Sequence, residues 1–285
     1  MIAFASNSLL CRAALKQTHI DAASFTVVRV ISGAVALWLV SNVRKRWIIE
    51  RTARRAPDNI GVTGYSLLRQ GNWFSALALF VYAAAFSFAY VDLSAGTGAL
   101  LLFGAVQATM ILWGLHKGER LNVIQVAGFA IAVIGLVVLV FPGLSAPPLM
   151  DCVLMVAAGV AWGVYSLRGK GERDPISATT RNFLRAVPFA AALSITFIPC
   201  ARIDSVGTTY AMISGAITSG LGYVLWYAAL PGLKAASAAT VQLSVPVLAA
   251  AGGILLLGEP MTWRYVLASI AVLGGIALVV LTRRS

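Results

Sequence analysis

The sequence has 285 residues, of which 59% are hydrophobic and only 11% charged, and its net charge at pH 7 is +12. A soluble domain carries about 25% charged residues, so this composition excludes an ordinary soluble fold. Apolar residues run continuously, as in 131–141 and 270–281, rather than alternating with polar residues as in barrel strands. Because unpaired backbone groups are costly in hydrocarbon, the sequence predicts an all-α polytopic membrane protein.

The positive charge indicates membrane topology rather than nucleic-acid binding. The basic residues lie mainly between the apolar segments, and no nucleic-acid motif accompanies them. Three cysteines, Cys11, Cys152 and Cys200, lie far apart and match no metal or disulfide spacing. We therefore expect no cofactor and no nucleic-acid partner. Residues 1–10 lack the basic start of a signal peptide, so no cleaved leader is expected.

Ten segments approach the length of about 20 mostly apolar residues that a membrane span needs. They are residues 1–17, 22–41, 72–91, 95–115, 121–141, 149–168, 179–199, 208–230, 235–257 and 262–282. The first segment is short, so either this helix is truncated or the natural start lies upstream of Met1. The polar stretch 41–70 is rich in arginine and is predicted to be a loop, and 142–148 joins two halves.

The distribution of basic residues predicts the orientation, because Lys and Arg accumulate in cytoplasmic loops. With the N-terminus inside, 16 of the 22 Lys and Arg residues fall in cytoplasmic loops and 3 in external loops. We therefore expect both termini to be cytoplasmic in a multi-pass protein of the cell's inner or plasma membrane.

The chain also repeats itself at an offset of 140 residues over roughly 90–141. The same Gly-Glu pair stands at corresponding helix boundaries, at 118–119 and 258–259. The halves, 1–141 and 149–282, each contain five predicted spans, and because five is odd they must cross the membrane in opposite directions. Two inverted five-helix repeats are typical of secondary transporters, whose site lies near the membrane midplane between the repeats.

Polar groups inside spans are costly and are therefore candidates for function. All ten acidic residues and both histidines fall in loops or at helix ends, which argues against a carboxylate proton relay and against an enzyme with an acid–base or metal cluster. The remaining polar candidates for binding a substrate are Asn7, Arg29, Gln107, Gln242 and Ser244.

Each of these groups also has a structural interpretation. Gln107 and Gln242 either join helices through hydrogen bonds or line the site, and Pro246 frees the carbonyl oxygen of Gln242 because proline lacks an N–H. Arg29 either extends its guanidinium group towards the membrane surface, pairs with carbonyl groups across helices, or binds an anionic substrate.

Aromatic and acidic residues complete the predicted set. Tyr82, Trp162 and Tyr223 lie deeper than an interfacial aromatic belt and are predicted to form the apolar walls of a cavity. Glu119 and Glu259 each precede an apolar helix, so they are predicted to have structural roles as caps or as links between helices.

The ten spans, the repeat and the Gly-Glu pair resemble the EamA type of the drug/metabolite transporter superfamily. The segments 222–227, 238–247 and 256–260 carry this resemblance in the second half, and 5–7 with Arg29 carry it in the first. The resemblance implies a non-enzymatic secondary transporter that exports a small organic metabolite, such as an amino acid, by alternating access in a lipid bilayer. A lipid-linked or nucleotide-sugar substrate, a non-transporting membrane scaffold, and assembly as a homodimer stay open.

Overall fold

The computed structural model describes residues 1–55, 72–118, 120–141, 146–169, 172, 174–229 and 242–281, and this part of the chain forms ten helices and no strands. The helices are α1 (Ile2–Gln17), α2 (Ala22–Arg55), α3 (Trp73–Ala89), α4 (Ala95–His116), α5 (Val123–Val140), α6 (Leu149–Gly169), α7 (Pro175–Phe197), α8, α9 (Ser244–Leu257) and α10 (Trp263–Leu281). Helix α8 is α-helical over Ser205–Ile213, π-helical over Ser214–Leu221 and α-helical again over Gly222–Ala229.

Six of these helices, α2, α4, α5, α6, α7 and α10, are long and apolar enough to cross a membrane, and α3 and α9 are shorter apolar helices. Large apolar side chains cover their outer faces, for example Val123, Leu255 and Trp263, which are more than four-fifths exposed. Soluble monomers rarely expose so much continuous apolar surface. The all-helical protein is therefore a multi-pass membrane protein.

Polar side chains define where several helices begin, because a side-chain oxygen can accept an otherwise unpaired N–H of the first turn. Asn122 and Gln125 form a reciprocal capping box at the start of α5. The other side-chain caps among the described residues that precede α3, α4, α7 and α8 are Asn72, Ser94, Asp174 and Asp204.

Helix α2 corrects the predicted loop at 41–70, because it continues to Arg55. Residues 41–55 include many good helix formers and neither glycine nor proline. Polarity alone was the wrong criterion there, since a helix can continue into water after it leaves the bilayer. Residues 56–71, and the early part of the predicted ninth span before Gln242, lie outside the described residues.

The helices form two groups that position the interior. Helices α2 and α7, α3 and α6, and α1 and α8 pack as pairs around a common centre, and α2 also packs along α8. Helices α4 and α9 pack against each other, α4 also contacts α6, and α5 packs along α10. A cluster of buried, hydrogen-bonded polar side chains lies within the first group.

The α5–α10 pair crosses with its backbones in contact. A Cβ atom added at Gly128 would lie 2.6 Å from the carbonyl oxygen of Gly275, and one added at Gly135 would lie 2.8 Å from the Cβ atom of Ala271. Small residues allow this approach, and close van der Waals packing is a main source of helix association in a bilayer.

Replacing Gly275 by leucine should therefore lower stability by about 1–3 kcal/mol, the usual cost of adding atoms to a packed interface. Thermal unfolding of the detergent-purified protein measures this loss. Gly274→Leu is the matched control, because a Cβ atom at Gly274 would meet no atom within 4 Å. Equal melting temperatures for the two variants would contradict the close crossing.

Candidate functional site

Asn7 connects three helices in the interior. Its Nδ2 atom donates to the hydroxyl of Tyr82 on α3 at 3.3 Å, and its Oδ1 atom accepts from Ser214 at 2.6 Å and Thr218 at 3.2 Å on α8. Asn7 is only 4% exposed. The predicted polar residue of the first helix is thus the centre of a buried hydrogen-bond network.

Arg29 on α2 joins the same network and is 2% exposed. Its Nη2 atom donates to the Tyr82 hydroxyl at 3.0 Å and to Ser219 Oγ at 3.4 Å. The guanidinium carbon lies 5.2 Å from the ring centroid of Tyr82 and 4.8 Å from that of Phe86. We call the side chains of Asn7, Arg29, Tyr82, Ser214, Thr218 and Ser219 the central cluster.

The charge of Arg29 has no counter-charge in the part of the chain that the structure describes. No acidic side chain there forms an ion pair with it, and its Nη1 atom is buried without an acceptor. An unpaired buried donor costs about 1–3 kcal/mol, and more when it is charged. The two aromatic rings offset part of this cost, by about 0.5–2 kcal/mol each. An anionic group placed beside Nη1 would satisfy both the charge and the hydrogen bond.

Aromatic rings cover the cluster on the side of α6 and α8. The ring of Trp162 lies 4.9 Å from that of Tyr82 and 5.0 Å from that of Tyr223, measured between centroids. Phe4 approaches both Trp162 and Tyr223 at about 6 Å. The interior thus combines a cationic, hydrogen-bonding side with an aromatic side, which suits a small amphiphilic solute.

The π-helix in α8 presents the serine and threonine residues to the cluster. In a π-helix the backbone bonds run from residue i to i+5, and such segments are frequent at functional sites. Ser214 and Ser219, five positions apart, both reach the cluster. A Cβ atom at Gly215 would collide with Ser32 and the carbonyl group of Arg29, so glycine allows α8 to lie directly on α2.

The structure brings together five of the eight predicted binding residues. The side chains of these five residues form one chain of contacts in the interior, although α1, α2, α3, α6 and α8 supply them from distant parts of the sequence: Asn7, Arg29, Tyr82, Trp162 and Tyr223.

Gln107, Gln242 and Ser244 lie on α4 and at the start of α9. Gln107 is buried with its Nε2 atom lacking an acceptor, and no hydrogen bond joins it to the central cluster. It lies three turns after Gly96, whose Cα faces Ala250 of α9, so it occupies the α4 face that packs on α9. A binding role for these three residues stays a prediction.

Glu259 is buried and connects the two halves of the chain. Its Oε1 atom accepts from Arg12 Nε at 3.0 Å, and its Oε2 atom accepts from the backbone N–H of Ala95 at 2.8 Å. The carboxylate therefore contacts the start of α4 rather than that of α10, the helix it precedes in sequence. Glycine is favoured before it because Gly258 has a φ of +63°. Glu119, its counterpart in the predicted repeat, lies outside the described residues.

Pro246 lies in the first turn of α9, where a missing N–H costs little. Helix α9 begins at Ser244, directly after Gln242 and Leu243. Because proline has no N–H, Pro246 cannot donate a hydrogen bond to the carbonyl oxygen of Gln242. The missing hydrogen bond lies at the N-terminal end of α9.

Further links join the halves at the two ends of the molecule. At one end, which we call the Asp21 side, Asp21 accepts from the backbone N–H of Arg202 at 2.8 Å and caps α2. At the other end, the Asp174 side, Arg44 donates to Asp174 at 2.6 Å. Burial alone would raise the pKa of each carboxyl group, but hydrogen bonds outweigh burial and lower both pKa values.

Arg12, Ser214 and Thr218 were not among the predicted site or structural residues. Arg12 carried a usable signal, because a basic residue inside an apolar segment requires a partner. Ser214 and Thr218 are small hydroxyl residues of a kind common in membrane helices, and their contribution depends on the π-helix.

A multi-pass helical protein with a buried polar and aromatic cluster has the architecture of a membrane transporter. The chain belongs to the EamA-like transporter family, whose family model matches residues 149–281. An uncharacterized Pseudomonas aeruginosa protein is 54% identical over 283 residues, covering 99% of this chain and 92% of that protein.

Two further similarities bear on function and fold. A Streptantibioticus cattleyicolor protein named "Probable terminal-alkyne amino-acid exporter" is 27% identical over 191 residues, covering 65% of this chain and 63% of that protein. A solved crystal structure of a protein with 18% identity aligns with a TM-score of 0.67, covering 99% of this chain and 95% of that one. The latter similarity shows that the fold occurs in an experimentally determined structure.

The Arg12–Glu259 pair generates a stability prediction. Glu259→Gln leaves Arg12 without its counter-charge and should cost about 3–5 kcal/mol, as removal of one partner of a buried pair does. Thermal unfolding measures this cost.

The double variant Arg12→Gln/Glu259→Gln removes both charges and should be less destabilised than the sum of the two single variants. A Glu259→Gln protein with unchanged stability and abolished substrate binding would contradict the structural role.

Proposed function

We propose that this protein is a secondary transporter that exports a small metabolite carrying a carboxylate, such as an amino acid or a closely related compound. The observation that carries the proposal is the buried, unpaired guanidinium group of Arg29 within an aromatic-lined interior. The amino-acid exporter named among the relatives supports the same substrate class.

The chemistry of the central cluster favours a carboxylate. Carboxylate and guanidinium groups form paired, charge-assisted hydrogen bonds. Tyr82 and Ser219 hold the Nη2 edge of Arg29 and leave the Nη1 atom without an acceptor. The rings of Trp162 and Tyr223 then provide an apolar surface for the remainder of the solute.

The alternatives fit this interior less well. A nucleotide sugar carries two phosphates, whereas a single guanidinium group stands in the central cluster. A membrane scaffold has no need for a buried unpaired charge, and apolar replacement of Arg29 should stabilise a scaffold without loss of function.

The inverted repeat is part of the proposal, and the packing of the helices supports it. If each helix in the first half corresponds to the helix five positions later, the α3–α6 contact corresponds to α8–α1, and the α4–α6 contact to α9–α1. All four contacts occur. The pairs α2–α7, α4–α9 and α5–α10 join corresponding helices, as expected around a twofold axis in the membrane plane.

Alternating access then requires the links at each end to open in turn. On the Asp21 side the halves are joined by the Arg12–Glu259 and Asp21–Arg202 contacts. On the Asp174 side they are joined by the Arg44–Asp174 ion pair and by Arg168, which donates to Ser75 at 3.0 Å. The central cluster lies between these two sets, so loss of either set would expose it to one side.

Arg29→Gln should lower affinity for the carboxylate substrate by about 10–150-fold, which corresponds to loss of a charged hydrogen bond. Arg29→Lys should retain part of the affinity. Binding is measured with purified protein by thermal-shift screening and calorimetry against amino acids, sugars and nucleosides. Each amino acid is paired with its carboxamide, which removes only the negative charge.

Gln242→Leu and Gln107→Leu provide the comparison on α9 and α4. If either glutamine contributes one hydrogen bond, its loss should weaken binding by up to roughly tenfold, while stability changes little. Equal binding of acid and amide, together with normal binding by Arg29→Gln, would contradict the carboxylate proposal. If the protein bound and transported sugars or nucleosides instead, it would still be a transporter, and only the carboxylate substrate class would be rejected.

The proposed orientation places the Asp21 side outside the cell and both termini in the cytoplasm. Cys200, at the Asp21-side end of α7, is exposed, whereas Cys11 and Cys152 are buried. A membrane-impermeant maleimide should therefore label this protein at Cys200 in intact cells, and Cys200→Ser should abolish labelling of the protein. Labelling that appears only after the membrane is permeabilised would reverse the orientation.

A further inference from the structure

Outside the central cluster, two arginines of α7 have side-chain nitrogen atoms without hydrogen-bond acceptors among the described residues. Arg181 and Arg185 lie one turn apart on the same face. Within the described part of the chain, the Nε and Nη2 atoms of Arg181 and the Nη1 atom of Arg185 are buried without a hydrogen-bond partner. Two neighbouring positive charges therefore have unfilled hydrogen-bonding positions among the described residues.

These arginines face away from the interior. The buried face of α7 contains Asn182, Phe183 and Ala186, and Phe183 packs on the aromatic wall through Tyr223. Helical geometry places Arg181 and Arg185 on the other side, next to α3. The two arginines thus lie on the side of α7 that faces away from the central cluster, and α7 packs against α3.

Arg185 lies close to the end of α3 on the Asp174 side. The guanidinium carbon of Arg185 lies 5.9 Å from the ring centroid of Trp73, which is the first residue of α3 and 58% exposed. Exposed tryptophan at a helix end is typical of the membrane interface. Arg185 therefore extends from the middle of α7 towards that interface.

The nearby carboxylates do not neutralise this pair. Asp174 is already bonded to Arg44 and to its own helix at Ser177. Glu172 forms no ion pair among the described residues. The missing acceptors must come from outside the described chain, and the group that lies at this depth around a membrane protein is the lipid phosphate.

We infer that Arg181 and Arg185 bind the phosphate group of an anionic phospholipid, with Trp73 beside the headgroup. Basic pockets between membrane helices bind anionic lipid headgroups through this charge complementarity. Leu77, four residues after Trp73, and Leu184, next to Arg185 in sequence, are both exposed and can contact the acyl chains. This lipid site is separate from the central cluster and independent of the proposed substrate.

Native mass spectrometry of the purified full-length protein tests the inference by comparing phosphatidylglycerol with phosphatidylcholine of identical acyl chains. The wild type should bind phosphatidylglycerol more tightly. Arg181→Gln and Arg185→Gln should each reduce the preference about fivefold, and the double variant about thirtyfold, as expected for one basic residue near an anionic surface and for two.

The double variant Lys16→Gln/Arg202→Gln is the matched control, because both residues are exposed on the Asp21 side and carry the same total charge. It should retain the full preference. A wild type without preference for phosphatidylglycerol, or an Arg181→Gln/Arg185→Gln variant that retains it, would overturn the inference. The inference would also be overturned if soluble glycerol phosphate raised the melting temperature as much as phosphatidylglycerol does. That result would indicate a site for free phosphate rather than for a lipid. If the double glutamine variant does not fold, the lipid preference of the wild type and of Arg181→Lys/Arg185→Lys still decides the question.

Discussion

The inability of hydrocarbon to form hydrogen bonds is the constraint on which this structure depends. Each polar group within the bundle must find its partner inside the protein. Asn7, Tyr82 and the hydroxyl groups of α8 satisfy one another, and Arg12 is neutralised by Glu259. Within the central cluster, the Arg29 side chain differs from its neighbours, because one edge of its guanidinium group is held while the other has no acceptor. The imbalance separates a group that stabilises the fold from one that is available to a ligand.

The same constraint explains why the two charged pairs have different consequences. The Arg12–Glu259 pair is nearly inaccessible to water and also satisfies the first N–H of α4, so it links three parts of the chain at once. The Arg44–Asp174 pair is more exposed, with 40% of the arginine side chain accessible, and water can replace it at low cost. In the proposed alternating-access cycle, the energy of opening would therefore differ between the Asp21 side and the Asp174 side.

Much of the helical architecture could be predicted from the sequence, because apolar length reports directly on membrane spans. The boundary of α2 could not, since hydropathy falls where the helix leaves the bilayer while helix propensity does not. For the central cluster and its aromatic side, burial cost singled out Asn7 and Arg29, and aromatic depth singled out Tyr82, Trp162 and Tyr223. The structure brings these five side chains together, and their binding role stays a prediction. The pairing of Arg12 with Glu259 joins residues that are 247 positions apart in the sequence. The roles of Ser214 and Thr218 depend on a local change of helix type. Neither is encoded in a local pattern.

The π-helix of α8 also has a consequence for sequence evolution. A π-helical turn contains one residue more than an α-helical turn of the same hydrogen-bonding span, so it corresponds to a single-residue insertion in an otherwise regular helix. Conversion of Ser214–Leu221 to a regular α-helix without loss of a residue would rotate everything after it by about 100°. Tyr223 would then leave the aromatic wall while the apolar character of the segment stayed almost unchanged. In this family, a one-residue gap at that point of an alignment would therefore mark chains whose helix is regular there and whose later residues keep the same faces.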